Sequence, residues 1–195
     1  MDSLEQRQHA RRRTMLDTGV ALLGGPDGGA VSVRAVCRTT GITERYFYEA
    51  FGNRDEFVRA VYDDVSARAQ EVLVDAVRGT PETKDVAAAA VAAFVDLVVD
   101  RPDLGRVLLL APYRESALAE YGLGHMPGFF AVVGAALPPQ VDEQSRRLAS
   151  VGMVGAMTAL FTEYLSGRLE IERDDLVRFC ATMLSSYLMP PIDRP

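Results

Sequence analysis

Along the chain, apolar residues recur at intervals of three and four, and strict alternation over more than four residues is rare. That pattern predicts helices almost throughout and no strand. Leu16, Val20 and Leu23 fall at i, i+4 and i+7 of a first helix over residues 3–23, which Gly24 and Gly25 end. The stretch GGPDGG that follows has no strand ahead of it and reads as a turn rather than a phosphate loop. Ser32 caps a second helix in which Val33, Val36 and Cys37 share one face while Arg34 and Arg38 share another. Gly41 can adopt positive φ at the end of that helix, Ile42 supplies an apolar anchor, and Thr43 caps a short third helix to about Phe51. Gly52 ends it, and Asn53 with Glu56 forms a capping box for a long fourth helix, which Phe57, Val61, Val65, Val72 and Val74 carry to about Val77.

Beyond Pro81 the predicted helices are greasier: 86–100, 103–110, 116–137, 141–166 and 174–188, punctuated by Pro102, Pro112, Pro127, Pro138 and Pro139. The expected fold is all-α, with a three-helix helix-turn-helix module over residues 1–62 and a C-terminal helical ligand-binding and dimerisation domain over 63–195. The helical pattern breaks near 78–83, and the fourth helix is long enough to pack into both parts.

Residues 32–57, SVRAVCRTTGITERYFYEAFGNRDEF, carry the central signal. Two short helices crossing near a right angle around Gly41 and Ile42 hold the second helix proud of its module, where it can enter a major groove about 12 Å wide. At about 100° per residue, Phe47, Ala50 and Phe51 fall together and face inward, Arg45, Tyr48 and Glu49 point outward, and Glu44 and Tyr46 lie on the flanks. A guanidinium can bridge guanine O6 and N7, and a phenol can donate to a phosphate. Tyr46 and Tyr48 suit either such contacts or packing. The run Arg11, Arg12, Arg13 suits either a solvated helix end or a minor-groove arm.

Composition narrows the classes. A chain of 195 residues that is 48% hydrophobic and 25% charged can bury a core. The apolar run from Val86 to Val95 is broken by Asp96, short of the roughly 18 residues of a membrane span, and no signal-peptide pattern follows the N-terminal arginines, so the expected location is the cytoplasm, away from membranes. Cys37 and Cys180 lie far apart within apolar stripes, as buried thiols. The two histidines, His9 and His125, belong to no ligand-spaced cluster, and no nucleophile elbow occurs; neither an enzyme, a metal site nor a cofactor is expected. The net charge of -6 argues against nucleic acid until it is divided: residues 1–60 carry 9 Arg against 8 acidic residues, so the acidity belongs to the remainder.

The patterns RRRTMLDTGVALL, SVRAVCRTTGIT, FYEAF and NRDEF, spanning about residues 12–62, resemble in order and spacing the DNA-binding domain of TetR-family regulators. The all-helical remainder is similar in length and layout. The resemblance implies a transcriptional repressor: a homodimer on a near-palindromic double-stranded DNA operator, released when a small-molecule effector binds the C-terminal domain. Carried over by position, Thr43, Arg45 and Tyr46 meet bases or nearby backbone, Tyr48 and Arg54 meet phosphates, and Arg34 approaches the backbone from the second helix. Arg54 stands where a lysine is usual. Glu44 and Glu49 are tolerable beside phosphates only by accepting from cytosine N4 or by pairing with an arginine, as Glu49 can with Arg45.

In the C-terminal part, Gly152, Gly155, Ala156 and Ala159 allow close approach of another helix, and Leu176, Phe179, Met183 and Tyr187 form a stripe on the last helix. Either two helices from each subunit form a four-helix interface, or both stripes are buried within a monomer. Phe94, Tyr113, Phe130, Met157 and Phe161 are the candidates to line a pocket for a hydrophobic or aromatic effector. The competing class is an all-helical ligand-binding or adaptor protein that does not engage DNA.

Overall fold

The computed structural model describes residues 4–26, 28, 31–80 and 83–188, without the side chains of 83–85, 187 and 188, so residue 3 and the Tyr187 side chain lie outside the described residues. Among the described residues the elements are α-helices and short 3-10 turns, with no strand. The helices are α1 (Leu4–Leu23), α2 (Val33–Thr40), α3 (Glu44–Phe51), α4 (Arg54–Gly79), α5 (Thr83–Val98), α6 (Pro102–Leu109), α7 (Ala111–Arg114), α8 (Met126–Ala136), α9 (Glu143–Leu165) and α10 (Arg173–Leu188). The expected helix over 116–137 is instead two 3-10 turns, Ser116–Leu118 and Gly122–His125, followed by α8. Gly122 and Gly124 weaken a helix through that stretch, and Pro127 lies in the first turn of α8, where its missing N–H costs nothing.

The chain divides into two compact units, Met1–Ala67 with Pro102–Gly124, and Arg68–Arg101 with His125–Pro195. The break expected after residue 62 falls inside α4, five residues before the chain passes from one unit to the other.

In the first unit, Met15, Leu16, Val20 and Leu23 of α1 are buried, as are Phe57, Val58, Val61 and Val65 of α4. The two helices meet at Gly19, where a Cβ would lie 2.4 Å from Val61 Cγ2 and 2.7 Å from Phe57 Cζ. Arg13 donates to Asp64 at 2.6 Å and also binds Asp17, tying α1 to α4 at the half-exposed edge of this contact. At the end of α1, Gly24 rests on the backbone of α6, its would-be Cβ only 2.1 Å from the Asp103 carbonyl oxygen. Arg106 donates to the Gly24 carbonyl at 3.3 Å from the same helix.

In the second unit, α5 packs along α10 through Val91, Val95, Val98, Leu176 and Cys180, all buried. Arg173 closes this pair by bonding Asp100 at 2.6 and 2.8 Å and Asp96 at 3.2 Å. α8 lies against α9, and Leu137, Met153 and Ala87 form a buried cluster onto which Val133, Ala149 and Leu184 pack. Arg146 of α9 donates to the carbonyls of Gly134, Leu137, Pro138 and Val141, satisfying the carbonyl end of α8 and the connecting loop. The long apolar stretch of the described chain lies in α9 rather than in Val86–Val95; this helix has 23 residues, and an 18-residue stretch of it with mean hydropathy 1.3 is long and apolar enough to cross a membrane by length and composition alone.

Two outcomes follow from this packing. Gly24→Ala must push α1 from α6 because the obstructing atom is backbone, and a loss of about 1–3 kcal/mol is expected from thermal or urea unfolding; Gly79→Ala, with nothing within 4 Å, serves as the control that stays close to the parent. Burial pushes the Cys180 thiol up to about 11. Its contribution to stability is therefore intact below the free-thiol range and is lost as pH rises from about 8.5 through 11. At pH 8 native Cys180 should label with a thiol reagent roughly a hundredfold or more slower than the unfolded chain, since reagents attack the thiolate.

Candidate nucleic-acid interface

The segment from Ser32 to Glu56 is built by local bonds that its residue types provide. Ser32 Oγ accepts from the Ala35 N–H at 3.1 Å and opens α2, as its N-cap position requires. Gly41, at φ 70°, donates its N–H to the Cys37 carbonyl and closes the helix in the left-handed region. The hydroxyl of Thr40 donates to the Val36 carbonyl at 2.8 Å and accepts from the Ile42 N–H at 3.2 Å, so the turn is stitched from within. Thr43 begins α3 with extended backbone but makes no side-chain cap bond, contrary to its expected capping role; its side chain stays exposed. Asn53 Oδ1 accepts from the Glu56 N–H at 2.9 Å and starts α4.

Three phenylalanines decide which way α3 faces. Phe47 and Phe51, one turn apart, are buried against Phe57 of α4, with ring centroids 5.1 and 4.8 Å from it and 5.4 Å from each other. Each such burial contributes roughly 1.5–3 kcal/mol, and each tilted or edge-on ring pair about 1 kcal/mol more. Ala50, expected inward, is exposed: the two phenylalanines fill the available depth, and a methyl group beside them has no hole to enter. The opposite face carries Thr43, Glu44, Arg45, Tyr46, Tyr48 and Glu49, all exposed. Arg45 is 84% exposed and bonds Glu49 at 2.8 Å across one turn, the pairing its spacing predicts. Burial, with Glu44 nearby, raises the Cys37 thiol behind this face.

Arg34 is exposed on α2. Arg54 differs from expectation. Its guanidinium donates to the Val31 carbonyl at 2.9 Å, to Asp55 at 3.1 Å and to largely buried Glu115 at 2.6 Å, which makes it an internal tie from the start of α4 to the loops around it. Burial alone would weaken the protonated form, but the bonds to Glu115 and Asp55 outweigh it and leave Arg54 more firmly charged than usual.

The arginine run of α1 separates into two roles. Arg13 is an internal tie, whereas the Arg11 guanidinium sits 4.0 Å from the centre of the Tyr46 ring and Arg12 sits 4.5 Å from that of Phe51 while donating to the Ala50 carbonyl at 3.4 Å. Both reach α3, a role that pattern reading of α1 by itself did not identify.

The expected effector residues do not form one pocket. Phe94 and Phe161 meet edge to face at 5.2 Å inside the second unit, and Met157 is half-buried on α9. Phe130 borders a separate cavity of about 450 Å³ between α8 and α9, shared with Gly134, Ala135, Glu143, Arg147 and Ser150. Tyr113 is 77% exposed on α7 in the first unit.

No protein-family model matches the sequence, and no curated protein matches it. Solved structures do match in shape. A TetR-like transcriptional regulator from Rhodococcus sp. RHA1 superposes with TM-score 0.66 at 20% identity, over 91% of this chain and 93% of that one. A TetR family transcription regulator from Marinobacter aquaeolei VT8 gives 0.68 at 14% identity, over 95% and 98%. The transcriptional regulator FadR from Bacillus subtilis, in complex with stearoyl-CoA, gives 0.72 at 16% identity, over 90% and 97%. The chain therefore has the all-helical fold of TetR-family transcriptional regulators.

Proposed function

We propose that the protein is a ligand-responsive, DNA-binding transcriptional regulator of the repressor type, a homodimer that leaves a near-palindromic operator when a small hydrophobic or aromatic effector binds. The observation that carries this reading is the orientation of α3. Phe47 and Phe51 are spent on the core, and Arg45, Tyr46 and Tyr48 stand exposed on a helix of groove-fitting length. Direct readout falls to Arg45 with Thr43 and Glu44 beside it, and backbone contact to Tyr48 and to Arg34 of α2. The fold shared with TetR-like transcriptional regulators agrees with this reading.

Effector binding is assigned to the second unit. The complex of a similarly folded regulator with stearoyl-CoA supports a ligand with a long apolar part. Release is a shift of population between dimer geometries with different operator affinity. The proposed dimer interface is formed by α9 and α10, because Leu148 and Phe179 are 67% and 55% exposed and Gly152 and Gly155 have open space where a Cβ would stand. A cytoplasmic, DNA-associated location accompanies this function.

Arg45→Ala should weaken binding to a promoter-derived duplex by roughly 1–3 kcal/mol, and Tyr48→Ala should weaken it on all duplexes alike, with sedimentation still reporting a dimer. Unchanged affinity in both variants would remove α3 from the interface. Gly155→Leu should leave the helical content intact but sediment as a monomer with little operator affinity; a persistent dimer would place the interface elsewhere.

A further inference from the structure

We infer that Arg11 of α1 is a DNA-backbone contact held in place by the ring of Tyr46, so that α1 completes the cationic rim of the interface. This inference rests on the DNA-binding reading above.

The need for such a residue comes from α3 itself. Its eight residues, ERYFYEAF, contain one arginine and two glutamates, and the arginine is paired with Glu49. The helix that would enter the groove is thus net anionic, and it would face a polymer with one negative charge for about every 1.7 Å of axis. Cations from a neighbouring element must offset this. Arg11 and Arg12 are the ones seen stacked on α3 rings among the described residues.

Consecutive helical residues are turned by about 100°, so three successive arginines cannot serve one surface. Arg13 is taken by Asp64 and Asp17. Arg12, half-buried as Arg11 also is, stacks on the inward-facing Phe51 and is bonded to the Ala50 carbonyl, which directs it toward the core side of α3. Arg11 remains: its Nε donates to the Arg7 carbonyl at 3.3 Å, and it has no carboxylate partner among the described residues. Its guanidinium stands 4.0 Å from the centre of the Tyr46 ring, itself 40% exposed on the flank of α3. A cation stacked on a ring keeps its edge donors directed sideways, and stacking restricts a long side chain that would otherwise lose its freedom on binding. α3 is about 12 Å long and the major groove about as wide, so a cation beside the flank of α3 lies at the phosphate-lined lip of the groove.

Tyr46 is then a positioning residue, acting through its ring rather than its hydroxyl. That assignment separates the two tyrosines: Tyr48 meets the backbone itself, and Tyr46 carries the arginine that does.

The test uses the full-length chain and fluorescein-labelled duplexes, one from its own promoter region and one scrambled, titrated between 50 and 200 mM salt. Arg11→Ala should weaken both duplexes by the same factor, roughly three- to tenfold, and should lower the magnitude of the slope of log affinity against log salt by about 1. Arg11→Lys should retain the slope. Tyr46→Phe should bind within about twofold of the parent, whereas Tyr46→Ala should match Arg11→Ala, and the double variant should be no weaker than either single one. Circular dichroism should show all of them folded, since Tyr46 is exposed, Arg11 is only half-buried and neither belongs to the core. A parent that binds while Arg11→Ala keeps the full salt slope would overturn the inference and leave the regulator reading standing. So would a Tyr46→Phe variant as weak as Tyr46→Ala, because the hydroxyl would then be the contact. A parent that binds neither duplex at 50 mM salt would overturn the DNA-binding reading and this inference together.

Discussion

The packing of Phe47 and Phe51 of α3 on Phe57 of α4 is the constraint from which the candidate interface follows. Eight residues are too few to hold a helix in water by backbone bonds alone, so α3 exists because one side of it is buried. Two rings one turn apart admit one rotational setting of the helix, and that setting leaves Arg45, Tyr46, Tyr48 and Glu49 on the far side. A hydrophobic requirement thereby fixes the direction in which these polar groups leave the helix. Gly41 and Gly52, both at positive φ, let the chain enter and leave this short helix sharply enough for the rings to reach α4.

Charge is distributed by the same logic. Arginines in the first unit that meet a carboxylate across elements, Arg13 with Asp64 and Arg54 with Glu115, serve the fold and are partly shielded from water. Such pairs lose strength as anchors for a second anion, because a phosphate would have to displace a carboxylate already bonded at 2.6 Å. Among the described residues Arg11, Arg12 and Arg34 have no such partner and stand on or near the α2–α3 surface.

The second unit relies on a different device. α9 is apolar along much of its length, yet only 17% of its most apolar window is buried within the chain. Its inner side carries Met153 and Phe161, while its outer side carries Leu148, Gly152 and Gly155, a surface with relief suited to another helix. Arg146 anchors the start of this helix through four carbonyls, so the loop from α8 is held without any apolar core of its own. The Gly134–Ser150 approach, where a Cβ would lie 3.1 Å from the Ser150 hydroxyl, brings the two helices close at that end.

Helix type, most helix limits, the caps at Ser32 and Asn53, the turn at Gly41 and the inward pair Phe47 and Phe51 were all legible in the sequence, because each depends on residues within a few positions of one another. The division of 116–137 into turns and a shorter helix was less so, since apolar periodicity continues through the glycines that interrupt it. What only the tertiary structure decided is which arginine meets which partner: Arg54 with Glu115, 61 residues away, Arg13 with Asp64, and Arg11 with Tyr46. The same holds for the exposure of Tyr113. Long side chains such as arginine reach across elements, and their choice among carboxylate, ring and solvent depends on distances set by the packing of whole helices, which carries no local signature in the chain.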